Sequence, residues 1–186
     1  MTLAEEKLLV ERAKKDSLAF GQLYDEHYSR IFGYVLKRTA DLDLTQDVVS
    51  ETFLKALKNL NQFHWQNVSF SSWLFRIASN EIVNFWRKKK PALSFSSVKE
   101  PAFTKDLSEE IMAAQDKLKD HQDFLMIQKQ IRLLDSRYQE VIVLRFFEKK
   151  SLLEIAEILG KKEGTVKSLL HRGLEKLRKN APPLEV

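Results

Sequence analysis

Lys167, Ser168, His171 and Arg172 stand three and four residues apart near the end of the chain, with Glu163 and Thr165 just before them. On a helix that spacing gathers their side chains away from the stripe formed by Val166, Leu169, Leu170, Gly173, Leu174 and Leu177. Lys and Arg can hold phosphates or guanine edges, and Ser, Thr and His supply further hydrogen bonds to bases and backbone. The chemistry is recognition of a polyanion, not bond cleavage.

Such a face needs a support, and the residues ahead of it supply one. The full stretch reads SLLEIAEILGKKEGTVKSLLHRGLEKLRK from Ser151. Ser151 and Glu154 have capping-box spacing, in which the hydroxyl accepts an orphan amide and the carboxylate reaches back. Leu152, Ile155, Ala156 and Leu159 share a face, and Gly160 supplies a left-handed C-cap. A new helix starts near Glu163, whose carboxylate suits the helix dipole. Lys162 takes the N-cap position, where Ser or Asp would be worth roughly 1 kcal/mol more. This is the layout of a helix-turn-helix, whose first helix braces a second that enters the major groove. An ordinary helical hairpin with a solvated basic face fits the pattern too. The short Gly-containing turn and the charge asymmetry favour DNA. Upstream, Ser136 and Gln139 match the capping box as well.

A second cluster lies in FSSWLFRIASNEIVNFWRKKK. Arg76, Asn80, Asn84, Arg87 and Lys88 interleave with Phe70, Trp73, Leu74, Ile77, Ala78, Ile82, Phe85 and Trp86. Amides and aromatics beside a cationic run can stack on unpaired bases and hold the backbone. The preceding loop adds Trp65, Gln66 and Asn67, which can surround an extruded base. The alternative is a core helix with a solvated cationic end; Trp73 and Ile77 are expected in the core. A third cluster is Asp47, Glu51 and Lys55 at four-residue spacing. It serves either as a self-contained helix ion pair or as a face that docks on a partner.

Composition sets the frame. The chain has 186 residues, a net charge of +5, 44% hydrophobic and 31% charged residues, and no Cys. This excludes a disordered chain, disulfides, thiolate zinc sites and Cys nucleophiles. No apolar run is long enough for a membrane span. MTLAEEKLLVERAKKD has no signal-peptide stretch, so a cytoplasmic location without membrane insertion is expected. His27, His64, His121 and His171 are scattered, and no carboxylate cluster has metal-ligand spacing. No catalytic residue, metal or cofactor is therefore expected. The expected fold is all-α, with few turn residues and no strand pattern. Two small helical domains, residues 1–90 and 124–180, are joined by a flexible acidic linker at 91–123 and followed by a tail at 181–186.

These stretches together resemble the extracytoplasmic-function (ECF) group of bacterial RNA polymerase sigma factors. The resemblance runs from about Ser17 to Lys179. AFGQLYDEHYSRIFGYVLKR is similar to the opening helix of the first domain, and DLTQDVVSETFLKAL to the helix that docks on the polymerase clamp. FSSWLFRIASNEIVNFWRKKK resembles the segment that melts and reads the minus-ten element. SRYQEVIVLRFFEKKSLLEIAEILGKKEGTVKSLLHRGLEKLRK resembles the domain that reads the minus-thirty-five element. The resemblance implies that Asp47, Glu51 and Lys55 bind polymerase. It places Trp65, Gln66, Asn67, Arg76, Asn80, Asn84, Arg87 and Lys88 on the minus-ten strand. Glu163, Thr165, Lys167, Ser168, His171 and Arg172 fall on duplex DNA. Core polymerase, through its clamp and flap, and promoter DNA are the implied partners; many members also have an anti-sigma factor. The acidic linker would thread the channel that later holds RNA. Asn84 stands where Asp is common, Lys162 where a small hydroxyl residue is usual, Leu169 where a basic residue is familiar, and Ser50 where Gln is common. The competing readings are a stand-alone helix-turn-helix regulator, which would bind a palindromic operator unaided, and a nucleic-acid enzyme.

Overall fold

The computed structural model describes residues 1–65, 69–89 and 129–180. Gln66, Asn67, the 91–123 linker and the 181–186 tail lie outside the described residues. Among the described residues no strand occurs, and the all-α expectation holds.

Four helices form the N-terminal set: α1 (Leu3–Ala13), α2 (Ser17–Thr39), α3 (Leu42–Asn59) and α4 (Phe70–Lys89). Each start is written locally. Thr2 and Glu5 form a capping box on α1, and the carboxylates of Asp16 and Asp41 accept the Leu18 and Leu44 amides of α2 and α3. Such caps satisfy amides that have no partner inside the helix. Ala40, in the left-handed region at φ 46°, closes α2 and turns the chain into α3. Leu23, Ile31, Tyr34 and Val35 on α2 are buried with Val48, Phe53 and Ala56 on α3 and with Phe70, Leu74, Phe75 and Ala78 on α4.

The C-terminal set begins with a helical turn at 129–132. It continues as α5 (Ser136–Ile142), a π-helical turn (Val143–Phe147), α6 (Leu152–Leu159) and α7 (Glu163–Asn180). The capping box expected at Ser136 is absent. Asp135 is the N-cap, without a side-chain bond. Gln139 instead donates Nε2 to the carbonyls of Arg132 (3.3 Å) and Leu134 (2.9 Å). Those carbonyls belong to the preceding turn, so the amide is spent on joining segments. The Ser151 box is present: Glu154 Oε2 accepts the Ser151 amide at 2.8 Å, and Ser151 Oγ accepts the Glu154 amide at 3.2 Å.

The two sets pack directly on each other. Their buried apolar residues form one continuous cluster, running from Val10 to Val166. α4 lies against α6, and α2 lies against α5 and the π turn.

Candidate nucleic-acid and polymerase interfaces

In the helix-turn-helix, α6 ends at Gly160 with φ 61°. That conformation suits Gly because it lacks a Cβ. The Lys161 amide donates back to the Ala156 carbonyl at 2.9 Å, and Lys162 O starts the next helix by accepting from Val166 N at 3.1 Å. Three residues, Gly160, Lys161 and Lys162, thus turn one helix into the next. Val166 and Gly173 bury toward α5 and α6, while Leu169, Leu170 and Leu177 are half-buried. Leu174 departs from the expected stripe and is 40% exposed.

Glu163, Thr165, Lys167, Ser168, His171 and Arg172 are all exposed. Lys167 Nζ is 3.2 Å from Glu163 Oε1, and His171 Nδ1 is 3.7 Å from Glu175 Oε2. Exposed pairs at this helical spacing are worth only about 0.3–0.5 kcal/mol. A phosphate can therefore take Lys167 at little cost. Ser168 Oγ donates to the Gly164 carbonyl at 2.9 Å and keeps its lone pairs outward. Arg172 has no ion pair or hydrogen bond among the described residues; it borders a cleft with Tyr138, Glu175, Lys176 and Lys179.

On α4, Arg76, Asn80, Arg87 and Lys88 are exposed and Asn84 is half-buried. Steps of three and four residues place them along one stripe. Asn84 is held from both sides: its Nδ2 donates to Glu81 Oε1 at 3.3 Å, and its Oδ1 accepts from Arg87 at 3.1 Å. Trp65 is half-buried, edge-on to Phe63 with centroids 5.8 Å apart. Trp73 and Ile77, expected in the core, are only half-buried. They line a cleft between α3 and α4 together with Lys55, Asn59, Gln62 and Asn80. Asn59 and Gln62 escaped the sequence reading because they end a helix, where no periodicity marks them.

Asp47 and Glu51 are exposed on α3. Lys55 Nζ lies 3.4 Å from Glu51 Oε1 and 2.8 Å from Glu81 Oε1 on α4. The hydrogen bond that the Lys55 ammonium donates to Glu81 raises the Lys55 pKa, so the ammonium stays charged. The pair therefore ties α3 to the helix that carries Asn84. Leu54 and Leu57 keep the helical period of a core face yet are 50% and 46% exposed. Apolar side chains bordered by charges are the composition of a docking face. Their period hid them from sequence reasoning.

Among the described residues, no group of His, Asp or Glu is placed to hold a metal ion. No described helix is long and apolar enough to cross a membrane.

Comparison with known proteins follows the same division. The profile of Sigma-70 region 2 matches residues 23–91, and that of Sigma-70 region 4 matches residues 124–177. The ECF RNA polymerase sigma factor SigW of Bacillus subtilis is 34% identical over 185 residues, covering 96% of this chain and 97% of SigW. The chain belongs to the ECF RNA polymerase sigma factors. The ECF sigma factor BldN of Streptomyces coelicolor is 30% identical over 175 residues; the alignment covers 94% of this chain but 65% of the length of BldN. A solved structure of the sigma factor RpoE from Bartonella quintana, in complex with the anti-sigma factor NepR, is similar in fold. Its TM-score is 0.64 at 23% identity, covering 86% of this chain and 94% of that one. Membership of the ECF sigma factors sets aside the stand-alone regulator, since SigW matches across both helical sets and not at the helix-turn-helix alone.

Proposed function

We propose that this ECF sigma factor binds core RNA polymerase, directs it to promoters and helps open the DNA there. One observation carries the reading. A single small helical chain displays two separate cation-bearing faces, on α4 and α7, and a third face on α3 that mixes carboxylates with exposed leucines.

The division of labour follows from the chemistry of each face. Asp47 and Glu51, with Leu54 and Leu57, dock on the polymerase clamp, and Lys55 holds the docking helix to α4. The region-4 unit, taken as residues 124–180, grips duplex DNA, with Arg172 and Lys167 reaching guanine edges or phosphates and Thr165, Ser168 and His171 adding hydrogen bonds. The region-2 unit, taken as residues 1–90, captures bases as they leave the stack through Arg76, Asn80, Asn84, Arg87, Lys88 and the Trp65 loop. Unstacking costs a few kcal/mol per base, and stacking on an aromatic returns about 1–3 kcal/mol. Opening is therefore marginal and sensitive to sequence, and it needs no nucleotide hydrolysis.

Each reader alone has too few contacts for tight binding. Mounted on one polymerase, the second contact becomes intramolecular, and effective concentration raises the joint affinity. No reaction is assigned to the chain itself. Its place of action is the cytoplasm, where polymerase and promoter are, and an anti-sigma factor belongs among the partners to test.

Co-purification with core RNA polymerase tests the reading. Stoichiometric capture supports it, and elution of the chain apart from core polymerase contradicts it.

A further inference from the structure

The Asn84 side chain on α4 is held by neighbours of opposite hydrogen-bonding character. Its Nδ2 donates to Glu81 Oε1 at 3.3 Å, and its Oδ1 accepts from Arg87 Nη2 at 3.1 Å. The three residues follow at steps of three, on one side of the helix. An ionised carboxylate only accepts, and a guanidinium only donates. The amide therefore has one favoured orientation. Turned over, its oxygen would face the carboxylate and its NH2 the guanidinium.

Glu81 is itself fixed. The same Oε1 lies 2.8 Å from Lys55 Nζ on α3, and the Glu81 side chain is 13% exposed against 38% for Lys55. Glu51 Oε1 lies 3.4 Å from that ammonium on its outer side. A row of polar contacts thus runs from Glu51 on α3, through Lys55 and Glu81, to Asn84 and Arg87 on the exposed stripe of α4.

This row decides what Asn84 can offer to a base. An Asn side chain has two amide protons and two carbonyl lone pairs. Glu81 takes one proton and Arg87 one lone pair, so one donor and one acceptor remain on a plane of fixed orientation. Adenine presents the complement, N6 as donor and N7 as acceptor, and Asn is the residue that pairs with it. An Asp at this position would offer acceptors alone, the match for cytosine N4. It would also face Glu81 with a like charge.

We propose that Glu81 is a positioning residue for promoter reading: it orients the Asn84 amide so that α4 selects an unpaired adenine in the minus-ten strand. The proposal rests on the reading of the chain as a polymerase-bound promoter selector. Glu81 acts through Asn84 and not on the base. A plain tie between α3 and α4 is the competing role, and the two differ in what they affect. Loss of a tie would fall on every promoter position alike. Loss of a positioning group falls on one base, and its sign depends on which residue stands at position 84.

The test uses holoenzyme assembled from core RNA polymerase and the full chain. It is mixed with a pool of short single-stranded DNA randomised at its central positions, and the bound molecules are sequenced. The position read by Asn84 is the one whose preference disappears in Asn84→Ala. The parent should favour adenine there by about 5–100-fold, the worth of one bidentate pair. Glu81→Gln keeps an oxygen for Lys55 but can turn a donor toward Asn84. Adenine preference should then fall by at least about 5-fold, with the other positions keeping theirs. Asn84→Asp should favour cytosine. Adding Glu81→Gln to Asn84→Asp should raise that cytosine preference, because the new amide donates to the new carboxylate where Glu81 repels it.

A Glu81→Gln profile equal to the parent's overturns the proposal. So does a loss of preference in both backgrounds, or a parent preference for another base at that position. In the free chain, the Asn84 side-chain amide resonances, identified by their loss in Asn84→Ala, should shift in Glu81→Gln; unmoved resonances overturn the proposal as well. Failure of the parent to assemble with core polymerase overturns the functional reading instead, and the resonances still decide whether Glu81 orients the amide.

Discussion

Gly173 and Ile142 set how closely the reading helix approaches its support. A Cβ on Gly173 would lie 2.9 Å from Ile142 Cδ1 and 3.3 Å from Tyr138 Cβ. Glycine here serves close packing of α7 on α5, at a position where alanine would otherwise favour the helix by about 1 kcal/mol.

Gly173→Ala is therefore expected to destabilise the chain. Overpacking costs about 1–3 kcal/mol, and the helix preference of Ala offsets part of it. A net loss near 1 kcal/mol should lower the thermal midpoint by about 2–4 °C. Combining it with Ile142→Val, which removes the offending methyl, should recover much of the loss. Calorimetry on the variants checks both steps.

Arg172→Ala should weaken binding to promoters that carry the upstream element, by about 1–3 kcal/mol if the guanidinium holds a guanine. Polymerase docking should be unaffected, because Arg172 is exposed on α7 and the docking face proposed above is on α3. Promoter titrations with assembled holoenzyme, beside a separate core-binding assay, tell the two effects apart. An equal fall in both assays would remove Arg172 from the DNA face.

Asp47→Lys should give the converse. The side chain is exposed on α3, so the substitution leaves the fold intact while reversing charge on the proposed docking face. Assembly with core polymerase should be lost, with the circular dichroism spectrum unchanged. Assembly at parental concentrations would exclude that face from docking.

Glu154 supplies a pH dependence. Burial pushes its pKa up, but the Ser151 amide and the Lys150 ammonium outweigh burial and leave it below its ordinary value of 4.5. A carboxyl with a folded-state pKa below its unfolded one contributes fully above the unfolded value, and the contribution is lost as pH falls through the folded one. The parent should therefore be more stable than Glu154→Gln at neutral pH by less than about 1 kcal/mol, given the partial exposure of the group. That difference should shrink as pH drops below about 4.5. Urea unfolding of both chains across the acid range measures it.

Local signals in the sequence translated well into structure. Ser151, Glu154 and Gly160 bound α6 as their spacing requires, because each acts within its own turn. The exposed stripes on α4 and α7 follow from helical period alone. What stayed hidden depends on distant partners. Ser136 and Gln139 have the same spacing as the Ser151 pair, yet Gln139 turns to carbonyls of the preceding segment. Arg38, Glu148 and Lys150 look like solvent charges in sequence and are buried against one another's domains. Leu54, Leu57 and Leu174 read as core and remain exposed, since period reports a face but not what covers it. The π turn leaves no mark in the residue pattern at all.

Transcription from a linear promoter template, with core RNA polymerase and with or without this chain, tests the central claim most directly. The account predicts transcripts with a defined start only when both are present, and little binding to the same DNA by the chain alone. Nanomolar binding of the unaided chain to an inverted-repeat site, with no transcript and no complex when core polymerase is added, would contradict it.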